Sequence, residues 1–405
     1  MSGKPVSRSA VIAGTVLAQM GLGTIYTWSL YNQPLVDKFH WPLSSVATTF
    51  SLTSFFLAFA TLFAGRIQER IGIRQLTLIA GVVLGLSLMA ASGVSSLPML
   101  WLLVGVVVGL ADGAAYITTL SNLMKWFPHR KGVIAGISVG AYGSGSLLFK
   151  YINSALLVQV GVSQTFFWWG VMALLMITGG AMLLKEAPVQ PAQTVAQGSN
   201  TTFTVSEMLR RKEAWLLFVV FFTACMSGLY LIGIVKDIGV KMAGLDAMTA
   251  ASAVSAIAIC NTAGRLILGY LSDKIGRLRV LNFTLLVTAL AVTVMAFLPL
   301  NAVTFFLCTG AIAFCFGGNI TVYPAIVADF FGLKHHSKNY GLIYQGFGLG
   351  PLVGSLIAAA LGGFHSTFIA IALLSVVSLV ITLFIQPPRA SRAPDVALVA
   401  QGSHA

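Results

Sequence analysis

Charge is what this sequence has least of. Only 9% of its 405 residues are Asp, Glu, Lys or Arg, where a soluble domain carries about 25%. Hydrophobic residues make up 57% and the mean hydropathy is +0.89. A water-soluble fold is excluded, and the chain reads as an all-α, polytopic membrane protein. Cysteine is scarce too. The four present, Cys225, Cys260, Cys308 and Cys315, fall inside apolar runs, with no spacing suited to a disulfide framework or a zinc site. They read as small apolar core residues. No phosphate loop, nucleophile elbow or metal-ligand cluster is found. Neither an enzyme nor an ATP-driven pump is expected, and no cofactor. The first apolar run is long enough to span and has no convincing small-residue cleavage site, so no cleaved leader is expected.

What the sequence does contain is apolar runs of spanning length, each close to the ~20 residues a bilayer requires. Twelve are expected, near 10–32, 45–66, 75–94, 98–122, 132–156, 164–185, 214–236, 248–270, 279–298, 302–328, 339–362 and 366–386. They divide the chain into a six-helix half (1–185), a polar linker (186–213), a second six-helix half (214–388) and a flexible tail (389–405). In the linker, Thr204-Val-Ser-Glu207 forms a capping box opening a short basic amphipathic helix.

The net charge of +13 invites a nucleic-acid reading, but its distribution argues against one. Arg66, Arg70, Arg74, Lys125, Arg130, Lys131, Arg210, Arg211, Lys212, Lys274, Arg277 and Arg279 all fall on the side that holds both termini. The other side holds Lys38, Lys236 and Lys241. This asymmetry is the positive-inside rule. It predicts cytoplasmic termini in a bacterial inner membrane, with the basic excess facing anionic lipid headgroups.

The chain also repeats itself. Gly65-Arg-Ile-Gln-Glu69-Arg70-Ile-Gly72-Ile-Arg74 lies between the second and third runs. Gly269-Tyr-Leu-Ser-Asp273-Lys274-Ile-Gly276-Arg277-Leu-Arg279 lies between the eighth and ninth. The glycines suit a tight turn, and Glu69 and Asp273 suit a helix N-terminus or a neighbouring Arg. A second pair, Trp126-Phe-Pro-His-Arg-Lys-Gly132 and Phe330-Phe-Gly-Leu-Lys-His-His-Ser-Lys-Asn-Tyr-Gly341, leads each time into a Gly-rich helix. Those helices carry Gly140-Ala-Tyr-Gly-Ser-Gly145 and Gly346-Phe-Gly-Leu-Gly350. Small residues there let helices approach closely and slide, or simply pack.

Arg265 stands inside the eighth run. Its guanidinium keeps its charge, at a cost in hydrocarbon of about 2.5 to over 10 kcal/mol depending on how it is measured. It marks an anion site facing a wet cavity, unless it snorkels to the edge or pairs with a neighbouring helix. Asp112, the acid well inside a span, reads either as a proton carrier or as a packing element between Gly109 and Gly113. Lys150, late in the fifth run, either snorkels outward, guides anions into an outer vestibule, or supplies a second cation. His40, His129, His335, His336 and His365 sit at membrane edges or loops, and His404 in the tail; none forms a convincing metal or catalytic set.

Two six-helix halves in parallel repeat resemble the major facilitator superfamily, whose loop signature the double Gly motif is similar to in both copies. More local strings narrow the likeness: Tyr26-Thr-Trp28-Ser-Leu-Tyr31-Asn-Gln-Pro34, Tyr116 with Lys125-Trp-Phe-Pro128, Asn261-Thr-Ala-Gly-Arg265, Phe316-Gly-Gly-Asn319 with Tyr323-Pro324, and Lys338-Asn-Tyr-Gly341. Together they resemble the oxalate/formate antiporter family, close to the monocarboxylate transporters. The resemblance implies alternating access around a central cavity. It also implies that Arg265 pairs with a substrate carboxylate, bidentately by its chemistry. Asn261, one turn away, donates to the ligand or holds the Arg fork. Tyr26, Tyr116, Phe316 and Asn319 are counted with the cavity set. For each aromatic alone, ordinary packing would be the default reading.

One departure matters. The oxalate exchanger's second cation, a lysine midway along helix eleven, corresponds here to Phe347. One buried cation balances one carboxylate, and an unpaired buried charge is costly. The expectation is a monomeric secondary transporter of a small carboxylate anion, a monocarboxylate of the pyruvate or lactate type. It is coupled to a proton or a counter-transported anion. Asn261 stands where the monocarboxylate transporters place an acid, which leaves the coupling open. Glu69, Asp273, Asp112 and Lys150 are the coupling or gating candidates. The competing expectations are an oxalate/formate exchanger and a carboxylate sensor on a transporter scaffold.

Overall fold

The computed structural model describes residues 7–188, 202–361 and 364–388. Among these residues, ten helices are long and apolar enough to cross a membrane. One of them, Lys131–Leu183, runs for 53 residues but is broken at Gly161 (φ 75°), so it is two spans. The 17-residue helix Gln345–Leu361 completes twelve. The flexible tail expected at 389–405 and residues 189–201 of the linker lie outside the described residues.

In chain order the spans are α1 (Arg8–Leu22, continuing through a 3-10 turn Gly23–Thr27 into Ser29–Phe39), α2 (Leu43–Ile71), α3 (Ile73–Ala91) and α4. The last is built from Leu97–Leu100, a π-helical turn Trp101–Val107 and Val108–Trp126. The two parts of Lys131–Leu183 are α5 and α6. The second half holds α7 (Lys212–Lys241), α8 (Ala247–Ile275), α9 (Arg277–Phe297) and α10 (Ala302–Phe331). It closes with α11 (His336–Ile343 and Gln345–Leu361) and α12 (Phe364–Phe384).

The boundaries follow from local chemistry. Asp246 opens α8 by accepting the backbone N–H groups of Met248 and Thr249, and Asn301 caps α10 through Thr304. The repeated loop motif turns on its second glycine. Gly72 and Gly276 hold φ of 82° and 100°, a region that L side chains rarely enter, and each ends one helix and begins the next. The capping box at Thr204 and Glu207 forms as its spacing suggests. Its backbone and hydroxyl hydrogen bonds hold the Glu207 carboxyl below the usual carboxylate range.

The α5–α6 join departs from expectation: the loop expected across 157–163 is a single glycine kink. Helix α1 is longer than expected, because its 3-10 turn lets the chain bend and resume.

The halves are built alike. In the first, α1 meets α5 where Gly23 lies against Tyr142 and Gly145 against Met20, and α2 meets α4 where Gly113 lies against Leu57. In the second, α7 meets α11 where Gly350 lies against Met226, and α8 meets α10 where Gly264 lies against Phe314 and Gly317 against Asn261. Each contact is backbone to backbone, the approach that small residues permit where lipid supplies no hydrophobic drive. Large apolar side chains such as Val158, Met248 and Phe384 face outward, as a lipid-exposed surface requires.

Between the halves, α5 packs on α8 and α2 on α11. The face carrying Arg66, Lys125 and Arg277, called here the basic face, is shut by a charged lattice. Asp273 accepts the backbone N–H groups of Gly132 (3.0 Å) and Val133 (2.7 Å) at the start of α5, where the helix dipole favours an anion. Arg277 pairs with Asp273 and Asp329, and Lys131 with Asp329. On the other side of the seam, Lys338 pairs with Glu69. The two acids of the repeated motif each reach into the opposite half.

Candidate functional site

Arg265 projects from the middle of α8, about 15 Å along the axis from Ile275 at 1.5 Å per residue. It is 5% exposed. Its Nε donates to Asn261 Oδ1 (3.0 Å), and its Nη1 donates to the Val139 carbonyl of α5 (2.8 Å). Asn261 is itself fixed, since its amide donates to the Ala313 carbonyl of α10. Asn261 therefore holds the fork. None of the ion pairs among the described residues includes Arg265. A guanidinium carries five N–H donors, and backbone and amide partners leave its charge unbalanced. Room for the head is made by Gly143: a Cβ there would lie 3.0 Å from Arg265 Nη1.

Around this cation the two halves contribute aromatic rings. Tyr26 sits on the 3-10 turn of α1, an interruption that turns it off the helix ladder. Tyr26 and Tyr116 lie within electrostatic reach of the Arg265 charge. Tyr142 of α5 meets both edge-on, at 5.5 and 5.3 Å between centroids. Across the seam Tyr116 approaches Tyr344 at 5.3 Å, and Tyr344 stacks on Phe347 at 5.0 Å and 13°. Phe347 is thus one ring behind Tyr344 in the same aromatic wall. Hydroxyls on otherwise apolar rings suit a small, partly polar ligand.

Asp112 is fully buried and accepts a hydrogen bond from the Tyr142 hydroxyl, which is 3.2 Å from each carboxylate oxygen. It joins the aromatic wall through Tyr142 and does not pair with Arg265. Just upstream, the π-helical turn Trp101–Val107 shifts the register of α4. Such insertions recur at functional sites.

Three expected residues stand elsewhere. Asn319 is buried and accepts a hydrogen bond from the Thr284 hydroxyl of α9, within its own half. It makes no hydrogen bond to Arg265, whose side-chain partners are Asn261 and the Val139 carbonyl. Phe316 fills the notch left by Gly228 on α7, so its ring packs inside the second half. Lys150 does not turn outward: its Nζ donates to Ser255 Oγ of α8 (2.7 Å). Ser255 lies about 15 Å along α8 from Arg265 at 1.5 Å per residue, and Lys150 closes a contact between halves there.

Sequence reasoning missed Tyr142, Gly143 and Tyr344. The first two lie inside the Gly140–Gly145 string, whose glycines suggest close approach and sliding of helices, or packing, and not a place for a charged head group.

Residues 11–260 and 231–400 match the Major Facilitator Superfamily family pattern. The chain is 48% identical over 346 residues to the uncharacterized MFS-type transporter YhjX of Escherichia coli (strain K12), covering 85% of this chain and 86% of that one. It is 27% identical over 384 residues to the oxalate:formate antiporter of Oxalobacter formigenes, covering 93% and 91%. In three dimensions it resembles the proton:xylose symporter XylE with a TM-score of 0.73 at 13% identity, covering 93% and 95%, a likeness of fold. The chain belongs to the major facilitator superfamily and is a multi-pass membrane transporter related to the oxalate/formate antiporters.

Proposed function

We propose that this chain moves small monocarboxylates of the pyruvate or lactate type across the bacterial inner membrane by alternating access. The observation that carries the reading is Arg265: a buried guanidinium at the seam of the halves, held by Asn261 and the Val139 carbonyl, with no acid paired to it among the described residues. A carboxylate would complete its hydrogen bonds and balance its charge. The relationship to an oxalate:formate antiporter supports a carboxylate substrate. The charge asymmetry supports an orientation with the basic face in the cytoplasm.

The preference for one carboxylate rests on Phe347 and Lys150. Phe347 stacks on Tyr344 where a second cation would sit, and Lys150 is engaged at Ser255. A second carboxylate would be left buried without a counter-charge. Phe347→Lys is expected to weaken pyruvate uptake about tenfold, a loss of roughly 1.4 kcal/mol, and to let oxalate compete. Unchanged selectivity in that variant would remove Phe347 from the site.

Asp112 is the coupling candidate, since Tyr142 links its carboxyl to the ring wall. Asp112→Asn keeps an acceptor for Tyr142 but cannot carry a proton. Its uptake is expected to lose stimulation by an inward proton gradient while counterflow persists. If stimulation survives, Asp112 only packs.

The deciding experiment is counterflow in proteoliposomes loaded with unlabelled pyruvate, following entry of labelled pyruvate against outside lactate, formate and oxalate. Saturable entry blocked by lactate and untouched by oxalate is the expected result. Oxalate exchange without a pyruvate signal would replace this reading with the oxalate/formate one, and binding without flux would leave a sensor.

A further inference from the structure

His336 opens α11 at the basic face and is fully buried. Its Nε2 lies 2.8 Å from the Pro324 carbonyl oxygen of α10. A carbonyl only accepts, so Nε2 carries the proton. In the neutral ring Nδ1 is then an acceptor, and it lies 2.8 Å from Ser121 Oγ of α4. Ser121 belongs to the first half, and His336 and Pro324 to the second. A neutral imidazole of one fixed tautomer therefore bolts the halves together, inside the lattice of Glu69–Lys338 and Asp273–Arg277–Asp329–Lys131.

We infer that His336 is a proton-operated latch of the basic-face gate: neutral, it ties α11 to α4 and keeps the gate shut; protonated, it favours the open gate. The inference concerns the conformational cycle and holds whichever carboxylate is carried. It adds no proton to the transported cargo, because the proton enters and leaves on one face.

Full burial disfavours a charged ring in the shut state, because an imidazolium there loses its water. The charged groups around it are Lys125 on α4 and Lys131 on α5, which oppose a cation, and Asp329 on α10, which favours one. Glu69 on α2, Glu207 on the linker helix and Lys334 and Lys338 around α11 act on the adjacent His335. When the halves part, Ser121 withdraws, water reaches the ring, and its pKa returns towards the ordinary 6.5.

The sign follows from linkage. The shut state binds fewer protons, so its advantage is complete above about pH 6.5 and shrinks as pH falls below that value. Between pH 7.5 and 5.5 the open-to-shut ratio rises roughly tenfold.

The test is a pulsed electron–electron distance measurement in nanodiscs, between spin labels at Arg70→Cys and Lys334→Cys, with Cys225, Cys260, Cys308 and Cys315 replaced by Ala. The long-distance population is expected to grow relative to the short one roughly tenfold from pH 7.5 to 5.5. That response should be flat in His336→Gln and retained in His335→Gln. A response that persists in His336→Gln, or none in the parent, overturns the inference. Should His336→Gln not fold, Ser121→Ala serves: it removes the crossing bond and is expected to raise the long-distance population at pH 7.5. A parent-like distribution in Ser121→Ala at every pH equally overturns it.

Discussion

Arg265→Lys should reduce pyruvate counterflow to a tenth of the parent rate or less, although the charge is kept. The guanidinium meets Asn261 Oδ1 through Nε and the Val139 carbonyl through Nη1, leaving the rest of its planar edge for an incoming carboxylate. An ammonium is a point charge with three donors and cannot present a fork while holding both protein partners. Each lost charge-assisted hydrogen bond is worth about 1.5–3 kcal/mol, or roughly 10- to 100-fold. Lysine also leaves the Asn261 oxygen unpaired. The loss should fall on substrate affinity, with the fold intact by size-exclusion and circular dichroism. Parent-like uptake by Arg265→Lys would sink the two-pronged model of recognition.

Gly132→Ala is expected to hold the basic-face gate ajar. A Cβ at this position would overlap the Gly269 carbonyl oxygen, Arg277 Nη1 and Ser272 Oγ, all on the far side of the seam. The obstruction includes backbone, which cannot rotate away. Overpacking of this kind costs about 1–3 kcal/mol, and here only the shut state bears it. The open-to-shut ratio should rise roughly 5- to 100-fold, with turnover falling as the shut state becomes rate-limiting to reach. The labelled pair Arg70 and Lys334 reads this directly. A distance distribution identical to the parent's would mean that α5 and α8 do not separate at Gly132 in the cycle.

The sequence made the broad plan legible because that plan is written in hydropathy and in a repeat. Apolar run lengths mark the spans, and the Gly65 and Gly269 motifs mark two halves. The two positive-φ turns follow from their glycines. Arg265 was visible because a permanent charge in an apolar run is costly enough to demand an explanation. The rest depended on how helices rotate against each other, which no single helix encodes. Asn319 and Asn261 look alike in sequence, yet one faces α9 and the other steadies Arg265. Tyr142 and His336 gained their roles from partners on other helices, Asp112 and Ser121. The α5–α6 join eluded hydropathy because a single kinked glycine leaves almost no polar residues to mark it.

From the basic face up to Arg265, α5 meets α8 through Gly132, Gly136, Gly140 and Gly143. A surface with no side chains has no rotamers to exchange when it parts from its neighbour. On the α5 side, the two halves can roll apart there without unlocking interdigitated knobs. The friction of the cycle is then concentrated in the capping bonds and ion pairs at the rim, groups that water can solvate as fast as they separate. Such a seam behaves as a bearing with a wet clasp.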